Sequence, residues 1–455
     1  TNRSLSAGTG NLLGISFSPS YRHRNLLGGA ELLLTNVTAG VEVNPVEIRS
    51  NRFWNTIDLR IEASLFIPDF KDYLGVYRRL RNIRFGPRFS LLGPSFYTAM
   101  RRDANTRVTA SYNYLLILDW YRYNLLNLTY GYDLQQSKRQ RLSIDHFAVN
   151  VLLPTTEKQF QDLLMENPFL ARSFGQQAFV SFLFRDIDYL KQGRVNRRGA
   201  SWFFNGKFEI AGAELWAANK LYNAFADSAV VFQLGPTTFS QYVQAEADLR
   251  WLRQLKNDQQ LAVRFNIGLG RPFGNTTDVP YVKQFYVGGA NSMRAWAPRG
   301  LGPGGYLDSI SLETNNNLRL YQTGDFKLEL NAEYRFNLFW RLRGAFFLDA
   351  GNIWTIRKDE ERPGSYFRWS ETTYTDQEGQ IFRHYPFYKQ MAVAGGFGLR
   401  VDLSYFLFRF DVGLKLRNNY PDTRTGNPPE SAWWNDLRSL TPQDFGFNLG
   451  LGLPF

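Results

Sequence analysis

Residues 326–338 read F-K-L-E-L-N-A-E-Y-R-F-N-L, with Phe326, Leu328, Leu330, Ala332, Tyr334, Phe336 and Leu338 alternating with Lys327, Glu329, Asn331, Glu333, Arg335 and Asn337. Successive side chains of a strand leave on opposite faces, so this stretch carries one apolar wall and one charged wall. The same alternation sets Phe239, Val243, Ala245, Ala247, Leu249 and Trp251 against Ser240, Gln244, Glu246, Asp248 and Arg250. It returns near 57–67, 261–269, 391–403, 406–417 and 445–455. Many of these runs exceed the ~5–6 residues of a globular strand and suit the ~9–11 tilted residues that cross hydrocarbon. A sheet with lipid on one face and water on the other must close on itself, because an open edge in lipid leaves backbone groups unpaired. The pattern therefore predicts an all-β chain forming a transmembrane antiparallel β-barrel.

Composition agrees with that reading. No run approaches 18 uninterrupted apolar residues, which argues against membrane-spanning helices. The mean hydropathy of −0.35 averages a wet wall with a lipid wall and hides the second. Aromatic residues make up 16% of the 455, with 11 Trp and 24 Tyr, as expected of a barrel with aromatic girdles at both interfaces. With no cysteine, the chain has no disulfide, thiolate metal site or cysteine nucleophile. The net charge of +12 is dispersed rather than gathered in one patch, which points to acidic lipid head groups and away from nucleic acid. The chain opens at Thr1 without a signal peptide, so it reads as a mature or truncated form.

Along the chain we count about 16 candidate strands in hairpin order, the even number expected of an outer-membrane barrel. Residues 1–455 form one barrel domain, beginning with a short polar strand at 1–8. Residues 68–104 are Arg-rich and irregular, broken by Pro68, Pro87 and Pro94. A short helical segment is expected within 155–170. The Gly- and Pro-dense stretch 272–324 is too long for a turn and reads as a functional loop. Trp340 and Trp354 share a parity and stand far enough apart that at least one ring should lie in or beyond the head groups.

Within that loop, 285–305 reads F-Y-V-G-G-A-N-S-M-R-A-W-A-P-R-G-L-G-P-G-G, where Gly288 and Gly289 permit a sharp turn before Ser292, Met293, Arg294, Ala295 and Trp296. Further on, 344–354 reads G-A-F-F-L-D-A-G-N-I-W, and alternation turns Asp349 to the lumen together with Arg341 and Arg343. A GG-x-x-S-h-R loop followed by F-x-D-x-G-x-h-W (Phe347, Asp349, Gly351, Trp354) resembles the BamA/TamA superfamily of outer-membrane assembly barrels. The resemblance implies that the loop folds back into the lumen, with Arg294 as its arginine and Asp349 in its partner region. Family loops usually read V-R-G-F or V-R-G-Y, whereas Met293-Arg294-Ala295-Trp296 is closer to the TamL-type branch. On the residues themselves, Asp349, Glu333 and Asp402 all face inward and any of them could receive the guanidinium in a bidentate pair.

The carboxyl end F-G-F-N-L-G-L-G-L-P-F sets Phe445, Phe447, Leu449, Leu451, Leu453 and Phe455 on one face, opposite Gly446, Gly450 and Gly452. Glycines weaken a strand, and exposed edges template the addition of another strand. A polar first strand beside a glycine-rich last strand therefore predicts a seam that opens sideways to a client strand. The resemblance implies an assembly factor of the bacterial outer membrane, with POTRA domains ahead of the barrel in full members. Its implied partners are outer-membrane lipid and lipopolysaccharide, nascent outer-membrane proteins, and a TamB-like periplasmic protein. Rival readings are a BamA-type core insertase, a protein-secretion barrel, or a passive porin. No enzyme is expected: the three histidines are scattered, no G-x-S-x-G elbow occurs, and no helix follows the Gly300–Gly305 run as a phosphate loop would need. No metal and no cofactor is expected.

Overall fold

The computed structural model describes residues 13–43, 54–83, 93–117, 121–166, 168–175, 177–226, 228, 230–234, 237–306, 320–375, 381–403, 406–421 and 433–455. The expected strand at 1–8 lies outside the described residues.

The first half of the wall comprises β1 (Leu13–Phe17), β2 (Ser20–Arg24), β3 (Leu32–Val43), β4 (Trp54–Ile67), β5 (Ala104–Ile117), β6 (Tyr121–Ser137), β7 (Gln140–Thr156), β8 (Gln177–Ser181), β9 (Asp186–Gln192) and β10 (Ala200–Ala211). Two short strands follow, β11 (Gln233–Leu234) and β12 (Thr237–Phe239), then β13 (Tyr242–Gln254), β14 (Gln260–Pro272), β15 (Phe326–Phe339) and β16 (Leu342–Trp354). A small separate hairpin is made of β17 (Thr372–Thr375) and β18 (Ile381–His384), and the wall ends with β19 (Ala392–Asp402), β20 (Leu407–Arg417) and β21 (Phe445–Leu451). Apart from β17 and β18, all of these join one sheet of nineteen strand segments, each paired antiparallel to its neighbour save the short parallel contact of β8 with β12.

Two breaks and the short β11–β12 hairpin raise the segment count above the number of staves. β1 and β2 run in line along β3, and β8 and β9 run in line along β7. The sheet curls around the loop between β14 and β15. Tyr281, Tyr306 and Tyr321 of that loop pack with Leu115 and Ile117 of β5, while Arg294 of the same loop reaches β15 and β16. No helix among the described residues is long and apolar enough to cross a membrane.

The turns Ser137–Gln140, Gln254–Gln260 and Phe339–Leu342 gather at one end, whereas the strand ends that border the long connections 273–325, 355–391 and 418–444 gather at the other. Short turns mark the periplasmic end of such barrels and long loops the outer face. Trp340 sits in a periplasmic turn and is exposed, whereas Trp354 is buried against Phe326 of β15 and Phe367 and Phe387 of the outer 355–391 connection.

Helices interrupt the strands in three places. Residues 68–104, expected irregular, hold a 3-10 turn at Tyr73–Gly75 and two helices, α1 (Val76–Asn82) and α2 (Pro94–Asp103). The 155–170 region holds α3 (Lys158–Glu166) and the start of α4 (Pro168–Phe174). Beyond β10 the chain leaves the wall as α5 (Ala213–Asn223).

Candidate functional site: the lumen loop and its receiving wall

The tip of the loop is built by backbone that only glycine takes easily. Gly288 and Gly289 have φ of +108° and +91°, and a Cβ on Gly288 would overlap the Ala297 carbonyl. Gly289 N–H donates to Trp296 O at 2.7 Å and Ser292 N–H to Gly289 O at 3.1 Å, so 289–296 forms a closed turn with Arg294 near its apex. Met293, Ala295 and Trp296 are buried with Val287, Leu301, Ile353 and Ala394, which fastens the turn to the wall by apolar contact.

Arg294 is 1% exposed. Its Nε and Nη2 donate to Asp349 Oδ2 and Oδ1 at 2.9 and 2.8 Å, its backbone N–H adds a third bond to Oδ2 at 3.1 Å, and Nη1 reaches Glu333 Oε2 at 2.5 Å. The guanidinium also lies 3.6 Å from the centre of the Phe347 ring. This is the bidentate fork geometry that Arg supplies and Lys lacks. Asp402 takes no part: it pairs with Arg343 at 3.2 Å, at the periplasmic mouth. Parity places all three carboxylates on one face but says nothing of their height in the lumen.

The sequence reading did not single out several members of the site. Asn331 stands opposite Asp349 in the ladder and bridges Asp349 Oδ1 at 2.9 Å and Ser292 O at 3.0 Å. Ser292 Oγ donates to Glu329. Arg335 and Arg400 reach Glu333 Oε1 at 2.8 and 3.1 Å, Arg400 pairs with Asp411 at 2.8 Å, and Arg409 donates to Asn291 Oδ1 at 2.9 Å. All of these wall residues have inward parity, so alternation would have nominated them, though not their mutual contacts. Burial of so many charges is tolerable only because each meets an opposite partner; removing one partner from such a set costs about 3–5 kcal/mol.

The loop also touches the last strand. Asn448 Nδ2 donates to Arg294 O at 2.7 Å. A Cβ on Gly446 would stand 2.5 Å from Arg294 O, and one on Gly413 would stand 2.9 Å from Ala295 N. These two glycines make room for the loop backbone. Gly450 plays the same part toward Arg409, 2.8 Å from its Nη2, and a Cβ on Gly351 would sit 3.2 Å from Met293 Sδ. The row of lipid-facing residues ends before Phe455, contrary to the sequence expectation. Gly452 has φ of +81°, the chain turns there, and Phe455 O accepts from Arg335 Nη2 at 3.1 Å with its ring 6.0 Å from the Arg294 guanidinium.

The other leg of the loop is pinned across the lumen, where Lys283 Nζ donates to Glu209 Oε1 and Oε2 at 2.6 and 2.9 Å, beside Arg185 and Tyr242. The assembly as a whole is a plug fixed by ion pairs. Among the described residues no group of three or more His, Cys, Asp or Glu is arranged to hold a metal ion.

Residues 199–455 match the Omp85 superfamily domain. The outer membrane protein assembly factor BamA of Neisseria meningitidis serogroup B is 26% identical over 135 residues, which cover 29% of this chain and 16% of that relative. Among solved structures, BamA from Haemophilus ducreyi lacking POTRA domains 1–3 gives a TM-score of 0.48 at 10% identity, over 89% of this chain and 67% of that one. CdiB from Escherichia coli gives 0.45 at 12% identity, over 88% and 55%. The domain match spans more than half of the chain and takes in the loop, the strands that receive it and the C-terminal strand; this chain belongs to the Omp85 superfamily, a family of β-barrels of the bacterial outer membrane.

Proposed function

We propose that this barrel is a TamL-type assembly factor that places β-barrel proteins or lipid in the outer membrane through a seam between its first and last strands. The observation that carries the reading is the latch on the last strand. β21 spans seven residues against 11 in β20, and the loop supports it from inside through Asn448 and the space at Gly446. A strand so short and glycine-rich has few ladder bonds to lose, so release of the loop would let its edge turn toward an incoming strand. The Met293-Arg294-Ala295-Trp296 turn supports the TamL branch, and with it a TamB-like periplasmic partner and lipopolysaccharide or phospholipid neighbours. The work proposed is mechanical, without a catalytic residue.

The test uses the absence of native cysteine, which makes an introduced pair unambiguous. One cysteine is placed near position 5 and one at 449, and client insertion into proteoliposomes is followed by protease protection. Oxidation should abolish insertion and reduction restore it, with the barrel folded in both states. Undiminished insertion by the cross-linked form would reject the seam.

A further inference from the structure

The helical insert between β4 and β5 leaves and re-enters the wall at the periplasmic end and packs on the outside of the barrel. Outward parity on β6 runs through Leu126, Leu128, Tyr130, Tyr132 and Leu134. Leu126 and Leu128 are 50% and 45% exposed, as residues of a lipid-facing belt should be, whereas Tyr132 and Leu134 are covered by Tyr77 and Met100 of the insert. The cover is fixed by hydrogen bonds. Tyr132 Oη donates to Lys71 O at 2.6 Å and accepts from Tyr73 N–H at 2.7 Å, Thr106 Oγ1 donates to Asp69 O at 2.6 Å, and Tyr77 Oη lies 2.9 Å from His146 Nε2.

Between the insert and the wall runs an open groove of about 690 Å³, within the ~300–1,000 Å³ of small-molecule sites. Its floor is apolar and belongs to the barrel's outer face: Val108, Leu128, Tyr130 and Phe147. Leu74 stands at its mouth, 61% exposed, where water would be a poor neighbour. Lys71 also lines it. It pairs with Asp69 at 2.5 Å, and Arg101 is exposed on α2 of the same insert. Exposed Arg78, Arg79, Arg81 and Arg102 extend the basic surface, against only Asp69, Asp72 and Asp103 among the described residues of the insert.

We infer that this groove is a phospholipid site of the inner leaflet: one acyl chain lies along Val108, Leu128 and Phe147, and an anionic head group meets Lys71 and Arg101. Continuity with the lipid belt selects a lipid over a protein segment, and the periplasmic position selects phospholipid over lipopolysaccharide. Cations at a membrane surface attract anionic head groups, which gives the site a preference for them.

Native mass spectrometry of the detergent-purified chain, with phosphatidylglycerol or phosphatidylethanolamine added, tests this directly. Wild type should retain phosphatidylglycerol. Val108→Trp fills the floor and should lower retention of both lipids about tenfold, and Leu74→Asn, at an exposed position with φ of +51° that Asn tolerates, should lower it in the same direction. Lys71→Glu with Arg101→Glu should lower phosphatidylglycerol about fivefold or more while sparing phosphatidylethanolamine. Folding is read independently from heat-modifiable migration. Wild-type retention by folded Val108→Trp and Leu74→Asn, or equal loss of both lipids in the charge-reversed form, would overturn the assignment. A bound polypeptide in place of lipid would do the same.

Discussion

At the scale of single residues, Arg294 carries the most structure per atom. It bridges two wall carboxylates on neighbouring strands, stacks on Phe347, and presents its own carbonyl to Asn448 of the last strand. Arg294→Ala leaves Asp349 and Glu333 without that partner, and should lower the stability of the folded barrel by about 3–5 kcal/mol, read from the urea midpoint of the heat-modifiable band. Arg294→Lys should recover little, because one ammonium cannot span both carboxylates as the fork does. Full recovery by Lys would show that charge alone holds the turn. The glycines next to the site illustrate the opposite economy. Gly446 and Gly413 are needed for the room they leave under Arg294 and Ala295, a contact between segments far apart in sequence that alternation cannot register.

At the scale of elements, strict alternation locates β13 to β16, β19 and β20 to within a few residues, because each faces lipid on one side and polar loop or water on the other. It fails wherever a segment lacks that two-sided environment. α1 and α2 have seven and ten residues, too short to be stable alone, and exist by packing Tyr77 and Met100 on the barrel's outer wall. The β17–β18 hairpin is likewise held by its neighbours: His384 is buried with its ring 4.4 Å from that of Tyr366. Burial pushes the His384 imidazole below its usual value. The unfolded hairpin therefore binds more protons in the window just below the ordinary histidine pKa, so hairpin stability rises with pH there and is lost as pH falls. Amide exchange at 372–375, corrected for intrinsic rates, should be faster at about pH 5.5 than at about pH 7.5. In His384→Phe that difference should vanish; its persistence would assign the effect to another group.

At the scale of the whole molecule, the loop that plugs the lumen decides what the barrel can pass. Ion pairs at Arg294 on one side and Lys283 on the other anchor it across the lumen, so the purified barrel in a planar bilayer should conduct poorly, and Arg294→Ala should raise the frequency of open events. Steady porin-like conductance by the wild type would refute the plug. The sequence alone determined that the chain is a barrel, which face of each regular strand is wet, and which loop bears the key arginine, because period-two alternation is a local property and each strand reports its own surroundings. Only the tertiary structure decided that Arg294 meets Asp349 and Glu333 rather than Asp402, that Phe455 turns inward at Gly452, and that an Arg-rich insert lies against the outer wall. Those outcomes depend on height in the lumen and on packing between distant segments, and a periodicity carries neither coordinate.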